Sequence, residues 1–398
     1  MTTGSVQDKL ELSRRVSLLE PSETLAIAAK AKELQSKGID VVSLSAGEPD
    51  FDTPDFIKQA AADALMKGVT KYTPAVGTVE LREAIARKFK RDQNLTYPID
   101  QIIVSSGAKH SLFNVFFSLL NEGDEVLIPG PYWLSYTAMV TLAGGTSKVL
   151  ATHEDTQFKL TPDILRRSLS PRTKVLVLNS PSNPTGAVYT RQELEALAEV
   201  LLDYPKVQIV SDEIYEKLIF DGAKHISIAT LSSELAQRTV IVNGHSKAYA
   251  MTGWRLGYAA CANKELAKAI SSLQSHSTSN PTSFAQAGGV AALDQGDPEA
   301  ERMCKVYQKR RDLLYGLISQ IKPLKPFKPQ GAFYLFVNIA ETGFASADLI
   351  QKLLEEAHVA TIPGKPFGSD SHIRMSFATS EAKLEEAARR LSRWFSAR

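Results

Sequence analysis

Lys247 and Arg255 stand eight residues apart in the segment Asn-Gly-His-Ser-Lys-Ala-Tyr-Ala-Met-Thr-Gly-Trp-Arg-Leu-Gly, residues 243–257. The apolar run 240–242 leads straight into it. A strand end that delivers a lysine into a small polar turn strips water from the ammonium. Such a lysine can act as an amine and form a Schiff base with a carbonyl. Arg255 is a permanent, planar cation flanked by Gly253 and Gly257, a composition that suits a phosphate. The alternative for both is an ordinary surface charge.

Other residues at the ends of apolar runs have matching chemistry, each beside a plainer reading. Gly107 and Ala108 open the apolar stretch 111–120, so backbone N–H groups there can meet a phosphate at a helix N-terminus; a tight turn explains them too. Trp133, after Pro131, can stack on a flat heteroaromatic ring or fill a core. Asn183, in Asn-Pro-Thr-Gly, can donate to a phenolate oxygen or simply shape the turn. Asp212, just past Ile209-Val210, needs a partner if buried, and a protonated pyridine nitrogen would serve; a helix N-cap is the competing role. Arg374, inside Ile-Arg-Met-Ser-Phe, suits a bidentate grip on a carboxylate or an internal salt bridge. Lys109, one residue into the helix after Ala108, offers a second cation for a dicarboxylic substrate, or a surface charge. His110 has no evident role, and Tyr72 reads as a turn residue. An amine, a phosphate cradle, a ring stack, a carboxylate for a ring nitrogen and a carboxylate clamp together describe pyridoxal phosphate (PLP) chemistry.

The elements that must position these groups repeat along the chain. Apolar β-branched runs at 102–104, 126–128, 175–178, 207–210 and 240–242 each end on Gly, Pro, Asn, Asp, Lys or aromatic residues. They are continuous rather than alternating, as strands buried on both faces are. Helical patterns such as 192–202 lie between several of them. The expected fold is α/β, a mostly parallel sheet sandwiched by helices, with ligands outside the carboxyl ends of its strands. A helical pattern at 24–35 and a short strand at 41–44 come first. After about residue 290 a charged helix, 298–318, precedes strands near 331–337 and 373–377, which reads as a smaller α+β domain. The expected division is 1–46 as an arm and segment packing with the small domain, 47–290 as the large PLP-binding domain, and 291–398 as the small domain.

Bulk properties exclude other classes. Of 398 residues, 46 are Lys or Arg and 44 Asp or Glu, a formal charge of +2 that gives no field to attract nucleic acid or a membrane surface. No apolar run approaches the ~20 residues of a bilayer span. Two cysteines, Cys261 and Cys304, make no disulfide framework and fit a reducing compartment. The N-terminus lacks an apolar signal core, so the expected location is the cytoplasm. No Cys/His cluster has zinc spacing, and neither a P-loop nor a Gly-x-Ser-x-Gly elbow is present.

Eight segments in order carry a resemblance: Ser45-Ala-Gly-Glu-Pro-Asp-Phe-Asp-Thr-Pro, Lys71-Tyr-Thr-Pro, Gly107-Ala-Lys, Pro131-Tyr-Trp, Asn179-Ser-Pro-Ser-Asn-Pro-Thr-Gly, Ser211-Asp-Glu-Ile-Tyr, Ser246-Lys-Ala and Ile373-Arg-Met-Ser-Phe-Ala-Thr-Ser. Over nearly the whole chain the sequence resembles the fold-type I PLP-dependent transferases, specifically class I aminotransferases of the aspartate aminotransferase family. The resemblance implies that Lys247 binds the cofactor covalently and shuttles the substrate Cα proton, and that Asp212 holds the pyridinium N–H. It implies that Asn183 and Tyr215 bond the cofactor O3′, that Trp133 stacks on the ring, and that Gly107, Ala108, Ser246 and Arg255 hold the phosphate. It further implies a homodimer in which Tyr72 reaches the partner's phosphate. Arg374 would grip the substrate α-carboxylate, helped by the backbone at Gly47 and by Asn183. Many relatives place a serine where this chain has Gly244. The chain is most similar to the bacterial and plant-plastid branch, in which Lys109 and Thr24 would read the distal carboxylate. The implied reaction is ping-pong amino transfer from L-aspartate to 2-oxoglutarate. Transfer to prephenate, giving arogenate, is the alternative within the branch, and a PLP-dependent β-lyase the alternative outside it. A PLP-sensing regulator would need a DNA-binding module, and no such segment precedes the core.

Overall fold

The computed structural model describes residues 12–19 and 23–398. Its strands are β1 (Val42–Ser43), β2 (Ile102–Ser105), β3 (Glu125–Gly130), β4 (Thr146–Ala151), β5 (Thr173–Asn179), β6 (Gln208–Asp212), β7 (Thr239–Gly244), β8 (Gly257–Cys261), β9 (Lys325–Phe327), β10 (Tyr334–Asn338), β11 (Val359–Ala360), β12 (Ile362–Pro363) and β13 (His372–Ser376). A seven-stranded sheet has the order β2-β8-β7-β6-β5-β3-β4. β3, β4, β5, β6 and β7 run parallel, while β8 lies antiparallel between β2 and β7. The sheet is thus mostly parallel, as the continuous apolar runs imply. Alternate residues explain those runs. Val175 and Val177 pack on one face with the helix Ala108–Leu119, and Leu176 and Leu178 on the other with the helix Arg191–Leu202. Both faces are covered, so no strand residue needs to be polar for water.

Two strands of this sheet lack the apolar signature. β8 is Gly-Tyr-Ala-Ala-Cys, small residues with weak strand preference, and its place between two strands rather than its composition makes it extended. β4 is an edge strand and largely exposed.

The C-terminal part forms a second core. An antiparallel sheet, β12-β13-β10-β9, packs with the helices Asp297–Ser319, Ser346–Glu356 and Glu381–Ser396. β1, from the N-terminal part, pairs in parallel with β11. Among the described residues, no helix is long and apolar enough to cross a membrane.

Candidate active site

β2, β3, β5, β6 and β7 point the same way, so their carboxyl ends share one edge. A cavity of about 650 Å³ opens beside it. Of the residues expected to do chemistry, Gly47, Ala108, Lys109, Trp133, Asn183, Asp212, Tyr215, Ser246, Lys247, Arg255 and Arg374 all line it.

Lys247 follows β7 by three residues, and its Nζ donates to the Gly47 carbonyl at 2.5 Å. Burial pushes the ammonium down, the Glu48 carboxylate offsets part of this, and the cations of Arg374, Arg255 and Lys109 add to it. The result is about 8.

Asp212 is the last residue of β6 and is 3% exposed. Burial raises its carboxyl to about 6, against the hydrogen bonds it accepts. Tyr136 Oη donates to Oδ2 at 2.5 Å and the Ile214 N–H to Oδ1 at 3.3 Å. No helix starts at Asp212, so the N-cap role is replaced by this turn contact. No cationic side chain is in ion-pair range of its carboxylate among the described residues.

The phosphate side is built from glycines. Gly107 has φ +91° and precedes the helix Ala108–Leu119, whose N-terminus no side chain caps. A Cβ on Gly107 would lie 2.6 Å from Arg255 Nη2, and one on Gly257 would lie 2.2 Å from the Ala108 nitrogen. Only glycine lets the arginine, the helix end and β8 converge. Arg255 is anchored by donation from Nη1 to the Thr252 carbonyl at 2.8 Å. Gly244 pairs with Gly257 across β7 and β8, where a Cβ would lie 3.0 Å from the Gly257 Cα. The two backbones therefore approach closely at this position, and a serine would need β7 and β8 to part by a few tenths of an ångström.

Arg374 lies on β13 between Phe336 of β10 and Ile362 of β12. Its Nη1 donates to Asn183 Oδ1 at 2.9 Å, and the guanidinium sits 4.2 Å from the centre of the Tyr334 ring. A guanidinium only donates, so Asn183 turns its oxygen to Arg374 and keeps its NH₂ as a donor. Among the described residues no carboxylate pairs with Arg374, and its buried Nε has no partner. The internal salt bridge is therefore absent.

Lys109 is exposed at the cavity, its Nζ 4.9 Å from the centre of the Trp133 ring, and burial followed by Arg255 lowers its ammonium. Trp133 meets Tyr136 edge-on at 5.3 Å. His110 is structural: its Nδ1 accepts the Ser106 N–H at 3.3 Å. Gly107 adjoins the cavity through Ala108 without lining it. Tyr72 is 89% exposed and outside it. Thr24 lies in the first turn of the helix Glu23–Ser36, and its side chain is outside the described residues.

Several contributors escaped the sequence. Tyr136 holds Asp212 from 76 residues away. Tyr334 bonds the Tyr215 hydroxyl at 2.8 Å and backs Arg374. Asn179 Nδ2 donates to the Asp212 carbonyl, and its Oδ1 accepts the Asn183 N–H. Trp133-Leu-Ser-Tyr136 offered one signal, since a buried tyrosine needs a polar partner, but nothing local names that partner.

These features fit PLP: a glycine cradle beside an uncapped helix end for the phosphate, a buried unpaired carboxylate for a cationic ring nitrogen, and a free guanidinium for a substrate carboxylate. The model for "Aminotransferase class I and II" matches residues 39–391. The chain is 50% identical over 390 residues to the aspartate aminotransferase of Bacillus subtilis, covering 97% of this chain and 99% of that one. It is 45% identical over 392 residues to a probable aspartate/prephenate aminotransferase of Rickettsia bellii, covering 96% and 98%. The structure of Thermus thermophilus aspartate aminotransferase with maleate superposes with a TM-score of 0.92 at 44% identity, covering 97% of this chain and 100% of that one. The chain belongs to the class I and II aminotransferases, enzymes that use pyridoxal 5′-phosphate.

Proposed function

We propose that this aminotransferase moves the amino group of L-aspartate to 2-oxoglutarate, giving oxaloacetate and L-glutamate at one site in two alternating half-reactions. One observation carries the reading. Lys32, Lys109, Lys247, Arg255 and Arg374 converge on a single cavity, and among the described residues none is paired with a carboxylate. Among the described residues lining it, Glu48 and Asp212 are the acidic ones that oppose them. That excess of cations suits a phosphate together with the two carboxylates of a dicarboxylic substrate. The Thermus relative, whose structure holds the four-carbon dicarboxylate maleate, supports it.

When bound, PLP supplies an electron-withdrawing ring that stabilises negative charge at the substrate Cα. The chain supplies the rest. Arg374 orients the amino acid by its α-carboxylate, with the Asn183 amide and Gly47 backbone beside it. Lys247, held near 8, has enough neutral amine near neutrality to take the Cα proton and return it elsewhere. Asp212, steadied by Tyr136, keeps the ring nitrogen protonated. Tyr215 and Asn183 direct hydrogen bonds at the ring oxygen, and Trp133 offers its face. Gly107, Ala108, Ser246 and Arg255 hold the phosphate. Lys109 and Thr24 read the distal carboxylate.

A homodimer is part of this reading. Leu65 lines a second depression that Arg255 also lines, and Met66, Val69 and Tyr72, which follow it in the chain, are exposed; a partner covering this face, with its own Tyr72 at the phosphate site, fits that surface. The proposed division into 1–46, 47–290 and 291–398 is supported by the two separate sheets and by the pairing of β1 with β11. The cytoplasm is the proposed compartment, supported by two unpaired thiols.

A second reading, amino transfer to prephenate, is favoured by the Rickettsia relative, a probable aspartate/prephenate aminotransferase. Turnover with oxaloacetate, 2-oxoglutarate, phenylpyruvate and prephenate as acceptors separates the two. Lys109→Ala should raise KM for aspartate about 10- to 100-fold, the loss of one charge-assisted hydrogen bond, and leave an aromatic amino acid nearly unaffected. Equal effects on both would remove the distal role.

A further inference from the structure

The turn that follows β6 alternates its loyalties. Asp212 and Tyr215 line the cavity, whereas Glu213 and Glu216 turn to the helix Val79–Gln93 behind it. Glu213 is fully buried. Its Oε1 accepts from Ser211 Oγ at 2.8 Å, and its Oε2 meets Gln93 Nε2 and His225 Nε2, each at 2.8 Å. Glu216 is held by Lys88, whose Nζ is 2.5 Å from Oε1, and by Gln93 at 3.2 Å. Glu213, Glu216 and His225 gather their ligand atoms closely enough to suggest a cation site. The ammonium of Lys88, itself 1% exposed, already serves that cluster. With His225 protonated, two carboxylates, one ammonium and one imidazolium sum to zero charge.

We propose that the buried Glu213–His225 pair is a positioning element of this site, holding the turn that carries Asp212 and Tyr215 and setting the charge that Asp212 meets. The inference rests on the reading of Asp212 as partner of the cofactor's ring nitrogen. Glu213 and Asp212 are adjacent buried carboxylates with opposite fates. Burial would raise Glu213, but His225, Ser227 and Lys88 overcome it and hold the carboxyl down at about 2. For His225 the opposite holds: desolvation pulls the imidazole down, and Glu213 with Glu216 more than restores it. Asp212 therefore sits beside a permanent negative charge, a neighbour that raises it further. On the buried side the phenols of Tyr97 and Tyr258 also face Glu213. On the cavity side Tyr136, Tyr215 and Lys247 surround Asp212. Among the described residues His225 is the one group that forms an ion pair with Glu213, so removing either member changes the field at Asp212 with opposite sign.

The holoenzyme without substrate reads this directly, through the pH midpoint at which the absorbance of bound PLP changes. His225→Gln keeps a hydrogen-bonding side chain but leaves Glu213 without its counter-charge, and should raise the midpoint by about one pH unit, the effect of one nearby charge. Glu213→Gln removes the neighbouring carboxylate and should lower it by a smaller amount. Each variant has its own predicted sign, so one that fails to fold leaves the other decisive. Shifts in the same direction, or no shift, would mean that the pair only supports the fold and would overturn the proposal. Asp212→Asn separates this from the underlying reading. If that variant retains PLP as tightly as the wild type, the assignment of Asp212 itself fails. If it releases PLP while the two midpoints behave as predicted, both stand.

Discussion

Replacing Arg374 by lysine keeps a positive charge in the cavity and removes the planar fork. The guanidinium is 5% exposed, donates to Asn183 Oδ1 at 2.9 Å and to the Ser45 carbonyl at 3.4 Å, and lies 4.2 Å from the Tyr334 ring centre and 5.0 Å from that of Phe367. A lysine presents a point charge that cannot grip a carboxylate through two parallel hydrogen bonds. The variant loses one charge-assisted hydrogen bond, about 1.5–3 kcal/mol, and part of the cation–π contact, about 0.5–1 kcal/mol. The sum, about 2–4 kcal/mol, corresponds to roughly a 30- to 700-fold fall in kcat/KM. Because every amino acid and 2-oxo acid substrate has the same α-carboxylate, the fall should be uniform across a substrate panel. Steady-state kinetics with aspartate, glutamate and an aromatic amino acid measure it. Stability gives an independent arm. An arginine in a buried salt bridge costs about 3–5 kcal/mol when removed, whereas Arg374 has no carboxylate partner among the described residues. Arg374→Leu should therefore destabilise the cofactor-free protein by distinctly less. A loss confined to dicarboxylic substrates, or a melting temperature that collapses in the leucine variant, would refute this account of the residue.

Lys247→Ala should abolish both turnover and the absorbance of bound cofactor; a variant retaining either would remove the lysine from the chemistry. In cofactor-free wild type, the neutral fraction of this amine grows as pH rises through about 8, so its labelling by an amine-reactive reagent should be half-maximal there, and a midpoint near an ordinary lysine's would contradict its burial. Tyr136→Phe removes the 2.5 Å donor that holds the Asp212 carboxyl down. The acid limb of the pH–rate profile should then move upward by about one unit, with activity recovering at alkaline pH; an unmoved limb would assign the tyrosine to packing alone. Gly107→Ala puts a Cβ 2.6 Å from Arg255 Nη2 at a backbone φ of +91°, and should weaken PLP retention about tenfold, from strain of about 1–2 kcal/mol. Unchanged retention would show that the cradle tolerates a side chain.

The fold was legible where apolar runs were long and β-branched. β3, β5, β6 and β7 lie within a residue or two of the positions read from the sequence, because burial on both faces leaves no polar interruption. β8 was not legible, since Gly-Tyr-Ala-Ala-Cys becomes a strand only by lying between β2 and β7. Gly107, Gly244 and Gly257 could be seen as unusual, but not what each avoids. The obstructing atoms belong to Arg255, to β8 and to the helix after Gly107, distant in sequence or facing one another only after folding. The Gly244 departure shows this well. It reads as a missing hydroxyl, and in the structure it is a close approach of two backbones.

The sequence by itself determined the reaction class, because Lys247, Asp212, Asn183 and Arg374 are side chains whose chemistry survives any arrangement that gathers them, and successive strand ends of a parallel sheet gather them by topology alone. Only the tertiary structure decided their working states. Burial brings Lys247 down toward neutrality, β7 and β8 approach closely at Gly244, and Tyr136, Tyr334 and His225 enter the site through contacts between residues separated along the chain. Such contacts depend on distance, and a linear pattern contains no distances between its parts.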